Sequence, residues 1–89
     1  MIYMFDSIQT TVTWAAGSIL AGIVASQTFS VPGVDSSYAI VVNCVGAKPD
    51  GIHFDGYVSS TDNVTINGHN RLIIALNPGA LNLKVIAYK

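Results

Sequence analysis

The stretch at residues 8–14, which reads Ile-Gln-Thr-Thr-Val-Thr-Trp, decides the fold class of this chain. Ile8, Thr10, Val12 and Trp14 fall on one face of an extended backbone, and Gln or Thr residues lie between them. A period of two carried by β-branched residues is typical of a half-buried β-strand. The stretch therefore predicts a strand with one face turned toward a core.

Similar segments recur along the rest of the chain, and turn residues separate them. A short strand with a turn signal every 8–12 residues is typical of a sandwich or a small barrel. We therefore predict an all-β fold, an antiparallel β-sandwich or jelly-roll-like domain with about seven short strands. The predicted strands after the first are 19–31, 38–44, 52–59, 64–66, 72–76 and 81–88, and Asn67-Gly68 is read as a hairpin turn.

Size and composition favour association between copies. The chain has 89 residues, of which 51% are hydrophobic and only 10% are charged. A domain of this length buries only about 60–65% of its unfolded surface, so it often needs a further source of stability. Cys44 is the only cysteine, so an internal disulfide is excluded. We predict that part of the apolar excess lies in subunit contacts; the alternative is a well-packed monomer with a Ser, Thr and Asn surface.

The charge pattern argues against nucleic acid and membrane partners. The formal net charge is −1, and none of the four basic residues falls within the first 47 positions. Phosphate binding needs clustered cations, and a signal peptide needs a basic region before its apolar stretch. The apolar segment 15–25 is too short to span a bilayer. A free cysteine and no leader predict synthesis in a reducing cytosol.

Residues with catalytic or ligand chemistry are few. His53 and Asp55 share one face of a predicted strand, an arrangement found in catalytic pairs and far more often in surface ion pairs. Asp50 with these two residues has only a generic metal-ligand spacing. Cys44 ends an apolar run, which predicts a buried, inert thiol. We therefore predict a protein that is not an enzyme, with no catalytic residue, no metal site and no cofactor.

The aromatic side chains leave a second function open. Trp14, Tyr38, Tyr57 and Tyr88 could form a platform for a sugar. In β-sandwiches such residues more often fill the core or an interface. A carbohydrate-binding module therefore stays as the alternative function.

The N-terminal residues are unusually apolar for a chain end. Residues 1–5 read Met-Ile-Tyr-Met-Phe, and five large apolar side chains in a row at a chain end are a liability in water unless something covers them. We predict that 1–7 form an arm that docks on a neighbour and that 8–89 form the domain; the alternative is an edge strand packed on the same domain. The predicted interface residues are Ile2, Tyr3, Met4, Phe5 and Trp14.

The order of motifs resembles a known small β-domain. A Gln-Thr-Phe-Ser strand is followed by Val31-Pro32-Gly33-Val34, then Gly51-Ile52-His53-Phe54, then Tyr-Val-Ser-Ser-Thr-Asp-Asn-Val-Thr-Ile at 57–66, then Asn70 and a closing Leu-Lys-Val-Ile-Ala strand. This order resembles a domain that recurs in phage structural proteins of the capsid decoration, cement or head-fibre type. The resemblance covers 15–88. One departure is Asn67-Gly68-His69, where that pattern has a basic residue and an Asn-containing loop.

The resemblance implies a structural function in which the protein catalyses no reaction. A protein of this kind decorates or cements the capsid surface of a virion as a homo-oligomer, often a trimer, and binds the major capsid protein. It implies no catalytic residues. Closed cyclic oligomers suit symmetry-related sites on a particle, and many weak contacts made together give avidity. The alternative is a receptor- or carbohydrate-binding module at the tip of a tail or fibre.

Overall fold

The chain is all-β over the residues that the structure, a computed structural model, describes: 7–15, 17–46, 51–75, 77 and 79–89. No helix occurs in these residues, so none is long and apolar enough to cross a membrane. The six strands are β1 (Ser7–Trp14), β2 (Val24–Ser30), β3 (Ala39–Val45), β4 (Ile52–Ser60), β5 (Asn63–Asn70) and β6 (Leu81–Tyr88).

The strands form two three-stranded antiparallel sheets, ordered β1-β6-β3 and β2-β5-β4. In β1, β2 and β3, exposed residues alternate with partly buried ones, and β1 ends on the fully buried Trp14. The central strands β5 and β6 contribute most of the fully buried positions. This pattern follows from the period of two, because one face of each sheet contacts the core and the other faces solvent.

The core lies between the inner faces of the two sheets. Trp14 of β1 and Phe54 of β4 meet edge to face with ring centroids 5.2 Å apart, so the two sheets share one set of contacts. Aromatic pairs in this geometry stabilise a core beyond their buried area. The buried apolar residues are Trp14, Ile19, Val31, Val34, Ile52, Phe54, Val64, Ile66, Leu83, Val85 and Ala87.

We predicted about seven strands, and the described residues form six, so that count is not confirmed. The predicted strand at 72–76 does not form over the described residues. The backbone after β5 instead turns around the side chain of Asn70, which donates to the carbonyl of Ile74 (2.9 Å) and accepts from the amide of Leu72 (2.9 Å). A buried amide that satisfies both groups holds this backbone in a loop.

The predicted hairpin turn at Asn67-Gly68 is also wrong. Both residues lie inside β5, and the turn is at Thr61 and Asp62. Gly68 is needed here for a close approach, since a Cβ at this position would lie 2.9 Å from Cζ2 of Trp14. Asp62 adopts a positive φ of 66°, which aspartate tolerates better than most residues.

The two ends of the molecule differ in chemistry. At the end where β1 starts, here called the hairpin end, Asp62 binds the turn between β2 and β3. Its backbone N–H donates to Val34, its carbonyl accepts from Val31, and its carboxylate accepts from the Gly33 amide at 2.8 Å. At the opposite end, where β1 finishes, β2 starts and β5 finishes, the loops carry exposed apolar side chains. This arrangement places the start of β1 and the apolar loops at opposite ends.

The predicted boundary between an arm at 1–7 and a domain at 8–89 falls mostly on undescribed residues. Ser7 is the first described residue, and it pairs with Tyr88 of β6 as the start of β1. Residues 1–6 lie outside the described residues.

Candidate functional site

The outer face of the β2-β5-β4 sheet carries a connected set of polar side chains. The β4–β5 register places Asp55 opposite Asn67, and the β2–β5 register places Ser26 on the other side of Asn67. Asn67 donates from Nδ2 to Oδ1 of Asp55 at 3.2 Å, and the Ser26 hydroxyl donates to Oδ1 of Asn67 at 2.5 Å. Cross-strand hydrogen bonds of this kind pre-order the face.

Two histidines extend this polar face. His53 and His69 are direct cross-strand partners, and their ring centroids lie 5.8 Å apart. Nε2 of His69 lies 2.9 Å from Oδ2 of Asp55, so the imidazole partner of Asp55 is His69, although the sequence predicted a pair with His53. Both partners are partly exposed, so this pair contributes little to stability.

The described residues of the polar face place neither a nucleophile beside a histidine nor a third metal ligand beside Asp55. Among the described residues, no hydroxyl or thiol hydrogen-bonds to either histidine ring, so neither has an activated nucleophile beside it. The described part of the chain also holds no group of three His, Cys, Asp or Glu side chains suited to a metal ion. Asp50, the third residue of the predicted metal spacing, lies outside the described residues.

Cys44 lies in the cleft between β3 and β4. It is half-buried, with its side chain turned toward the inner face of its sheet. A cavity of about 340 Å³ is lined there by Val42, Asn43, Cys44, His53 and Phe54. The thiol was predicted to be buried and inert, and the structure buries it only in part. Its recorded hydrogen-bond partner is the carbonyl of Val45, at 4.0 Å.

The largest departure from an ordinary surface is at the end opposite the hairpin end. Five aliphatic side chains of two loops and one strand start are strongly exposed there, and Ile73 reaches 96%. Monomeric proteins rarely leave a large contiguous apolar patch in water. We call this set the apolar end surface: Leu20 (66% exposed), Ile23 (52%), Val24 (45%), Ile73 (96%) and Ile74 (63%).

Asn70 binds the two loops that carry the apolar end surface. This side chain is 2% exposed, and its Nδ2 atom donates to the carbonyls of Ile19 (2.9 Å), Leu20 (3.2 Å) and Ile74 (2.9 Å). The backbone N–H of Asn70 donates to the carbonyl of Ile23 at 3.1 Å. One buried amide therefore fixes both loops, so their apolar side chains are displayed from an ordered base.

The sequence reading missed the apolar end surface. Ile73 and Ile74 were assigned to the predicted strand at 72–76, and Leu20 and Ile23 to the predicted strand at 19–31. The available signal was a short apolar run without alternation that ends at Asn77-Pro78-Gly79. Such a run predicts burial, but it does not say whether the chain itself or a partner supplies the cover.

The predicted interface residues divide into two groups. Trp14 was predicted at an interface, but the structure places it in the core, where it is 0% exposed and packs on Phe54 and Gly68. A side chain that already fills the space between the sheets leaves no surface for a neighbour. The other predicted interface residues lie outside the described residues: Ile2, Tyr3, Met4 and Phe5.

The aromatic residues do not form one platform. Tyr57 (53% exposed) lies on the outer face of the β2-β5-β4 sheet, and Tyr88 (44% exposed) lies on the outer face of the β1-β6-β3 sheet. The ammonium of Lys89 lies 5.1 Å from the ring centroid of Tyr38. Tyr57 therefore shares a surface with the polar face, and Tyr88 does not.

The chain matches no protein-family model, no curated protein sequence and no solved structure.

Proposed function

We propose that this chain is a viral structural protein that decorates or cements the surface of a phage capsid as a homo-oligomer, with a trimer favoured. The observation that carries the proposal is the apolar end surface, where Ile73 is 96% exposed in a chain with only 10% charged residues. Association removes such a surface from water, and each Å² of apolar area buried contributes about 25 cal/mol. The resemblance to phage structural domains supplies the biological setting.

The proposed role uses no chemistry of the chain's own. The imidazole and carboxylate of His69 and Asp55 are paired with each other on a solvent-facing sheet. We propose that the protein is not an enzyme and that this pair orders the outer face. The proposed partner besides further copies is the major capsid protein, and the proposed location is the virion surface after synthesis in the host cytoplasm.

The proposed architecture is an antiparallel β-sandwich, because the two three-stranded sheets share one core. The jelly-roll form is a finer proposal, and it requires that further strands join the two sheets. In such a sandwich the apolar end surface can contact a partner while the outer faces of both sheets stay in solvent.

The experiment that tests the proposed function has two parts. Light scattering after size exclusion measures the mass of the purified chain, and a value near three times 9.4 kDa supports the trimer. Co-sedimentation with undecorated phage capsids then measures particle binding, with capsids that already carry a decoration protein as the control. Saturable binding to the undecorated particles supports the proposal, whereas no binding at any protein concentration contradicts it.

A second candidate function is carbohydrate binding on the polar face. Tyr57 is 53% exposed, and it lies two residues along β4 from Asp55 on the same face. An aromatic ring beside a carboxylate and an amide offers both stacking and hydrogen bonds to a polyhydroxylated ligand. A glycan array tests it, with Tyr57→Ala as the variant that loses binding and Tyr88→Ala as the matched control. No signal above background contradicts this candidate.

A further inference from the structure

We propose that the N-terminal segment of one copy, with Ile2, Tyr3, Met4 and Phe5, covers the apolar end surface of the next copy, so that copies associate head to tail. This inference rests on the homo-oligomer in the proposed function, and it names the two surfaces that meet. The occupant is a segment of this chain outside the described residues. The argument uses the positions of the two surfaces, the reach of the chain and their shared chemistry.

The fold places Ser7, to which the N-terminal segment is joined, at the end opposite the apolar end surface. Ser7 starts β1 at the hairpin end, where Ile8 approaches the β2–β3 turn at Gly33. Trp14 finishes β1 at the other end, where it packs on Phe54 and Gly68 beside the last residues of β5. The loops of the apolar end surface attach to the last residue of β5. The segment that precedes Ser7 therefore leaves the domain far from the apolar end surface of its own copy.

The segment from Ile2 to Ser7 is too short for these residues to reach the apolar end surface of their own copy. The eight residues of β1 separate the two ends by about 24 Å, at about 3.4 Å per residue. Ile2 precedes Ser7 by five residues, so even a fully extended chain carries it no more than about 18 Å from Ser7. This limit depends only on residues 2–7, whatever precedes them. A neighbouring copy is free of this limit.

The two surfaces match in chemistry. Residues 2–5 read Ile-Tyr-Met-Phe without a charge, and the apolar end surface consists of aliphatic side chains. Each would bury the other's apolar area, and no charged side chain of either set would be desolvated. Ile73, at 96% exposure, is the natural anchor for large side chains such as Tyr3 and Phe5.

A contact between two different surfaces has a defined consequence for assembly. Each copy offers one arm and one apolar end surface, so the interface is heterologous. Such contacts close into a ring if the rotation between copies permits and otherwise continue as a filament. The trimer of the proposed function corresponds to a ring of three copies in which every arm and every apolar end surface is used.

The test is complementation between two variants that each lack one surface. The arm variant carries Ile2→Ser, Tyr3→Ser, Met4→Ser and Phe5→Ser, which keeps the length of the chain. The end variant carries Ile73→Asp at a side chain that the fold does not bury. Val41→Asp, at a residue 38% exposed on the outer face of the other sheet, is the matched control. Far-UV circular dichroism and the fluorescence of Trp14 verify that every variant is folded.

The inference predicts a distinct mass for each sample in analytical ultracentrifugation. The wild type and the Val41→Asp control are oligomeric, and each of the two surface variants alone is a monomer of 9.4 kDa. An equimolar mixture of the two variants forms a heterodimer of twice that mass, because one intact arm meets one intact apolar end surface. An isologous contact between two apolar end surfaces predicts no such complementation.

Three results overturn the inference. An arm variant that keeps the wild-type mass shows that the arm is not the cover, and it leaves the proposed homo-oligomer intact. Two monomeric variants whose mixture stays monomeric show that the two surfaces do not meet. A wild type that is monomeric at every concentration overturns the head-to-tail contact and the proposed homo-oligomer together, and capsid co-sedimentation then decides whether decoration itself survives.

Discussion

Replacing Gly68 with alanine should destabilise the fold, because the new methyl group has no room. A Cβ at Gly68 would lie 2.9 Å from Cζ2 and 3.2 Å from Cη2 of Trp14, and 3.2 Å from Cε1 of Phe54. Carbon atoms pack best at about 3.5–4.0 Å. Trp14 is 0% exposed and contacts Phe54 edge to face, so neither ring moves aside without disturbing the other.

The size of the effect follows from two opposing contributions. An extra methyl group in a packed core costs about 1–3 kcal/mol. Exchanging glycine for alanine returns about 0.4–1 kcal/mol by restricting the unfolded chain. We expect the free energy of unfolding to fall by about 1–2 kcal/mol, which lowers Tm by about 5–15 °C in a domain of this size.

The assay is a double-mutant cycle with Trp14→Phe, which removes both indole atoms nearest the new methyl group. Urea unfolding followed by far-UV circular dichroism gives the four stabilities, since Trp14 is the only tryptophan and its fluorescence is lost in the variant. The alanine should cost less in the Trp14→Phe background, by about 1 kcal/mol of coupling. Gly56→Ala is the control for the coupling, because the three atoms nearest its new methyl group belong to Ile40, Val42 and Thr65 and not to Trp14, so its cost should be the same in both backgrounds. Additive effects, or a Gly68→Ala variant as stable as the wild type, would refute the packing argument.

Three further predictions concern polar groups that organise the loops. Asp62→Ala should lower the free energy of unfolding by about 1–2 kcal/mol in urea titrations, because the Gly33 amide loses its acceptor, whereas Asp62→Asn should retain most of the stability. Asn70→Ala should cost about 2–3 kcal/mol by the same measurement, and Asn70→Asp should cost more, because a carboxylate would face three carbonyl oxygens. Two hydrogen bonds from Ser37 lower the pKa of Asp35 below its ordinary value of 3.8. The stability that this carboxylate provides is therefore present above pH 3.8 and is lost as the pH falls through the folded pKa. An NMR titration that finds a pKa of 3.8 or higher for Asp35 contradicts this prediction.

Much of the fold follows from local patterns. The alternation at 8–14 and the apolar segments at 38–44, 52–59 and 81–88 predict β1, β3, β4 and β6 within a residue or two of their observed bounds. At 8–14 a period of two records the half-burial of the strand directly in the sequence. The continuous apolar run at 38–44 predicts a strand buried on both faces or central in a sandwich, whereas β3 is a half-buried strand at the edge of its sheet. The turn residues at 60–63 likewise lie where the β4–β5 hairpin closes.

The predictions that failed are those in which a distant residue overrides the local signal. Asn67-Gly68 has the composition of a hairpin turn, but the ring of Trp14 packs on Gly68 and requires a strand position without a side chain. The apolar run after β5 has the composition of a strand, but the side chain of Asn70 binds its backbone and forms a loop. The same side chain also binds the carbonyls of Ile19 and Leu20. No local pattern records the contact of Trp14 with Gly68 or the bonds of Asn70 to Ile19 and Leu20, because these partners are about fifty positions apart.

The amino-acid sequence by itself determined the all-β class, the positions of most strands and a chain poor in charge with apolar residues near its N-terminus. Each of these properties depends on composition or on neighbouring residues. The tertiary structure alone decided that Trp14 lies in the core, that Asp55 pairs with His69, and that Ile73 is exposed at the end opposite Ser7. Which apolar side chains remain exposed depends on how the sheets and loops pack. The hydrophobicity of a residue does not reveal this, because buried and exposed apolar residues are equally hydrophobic.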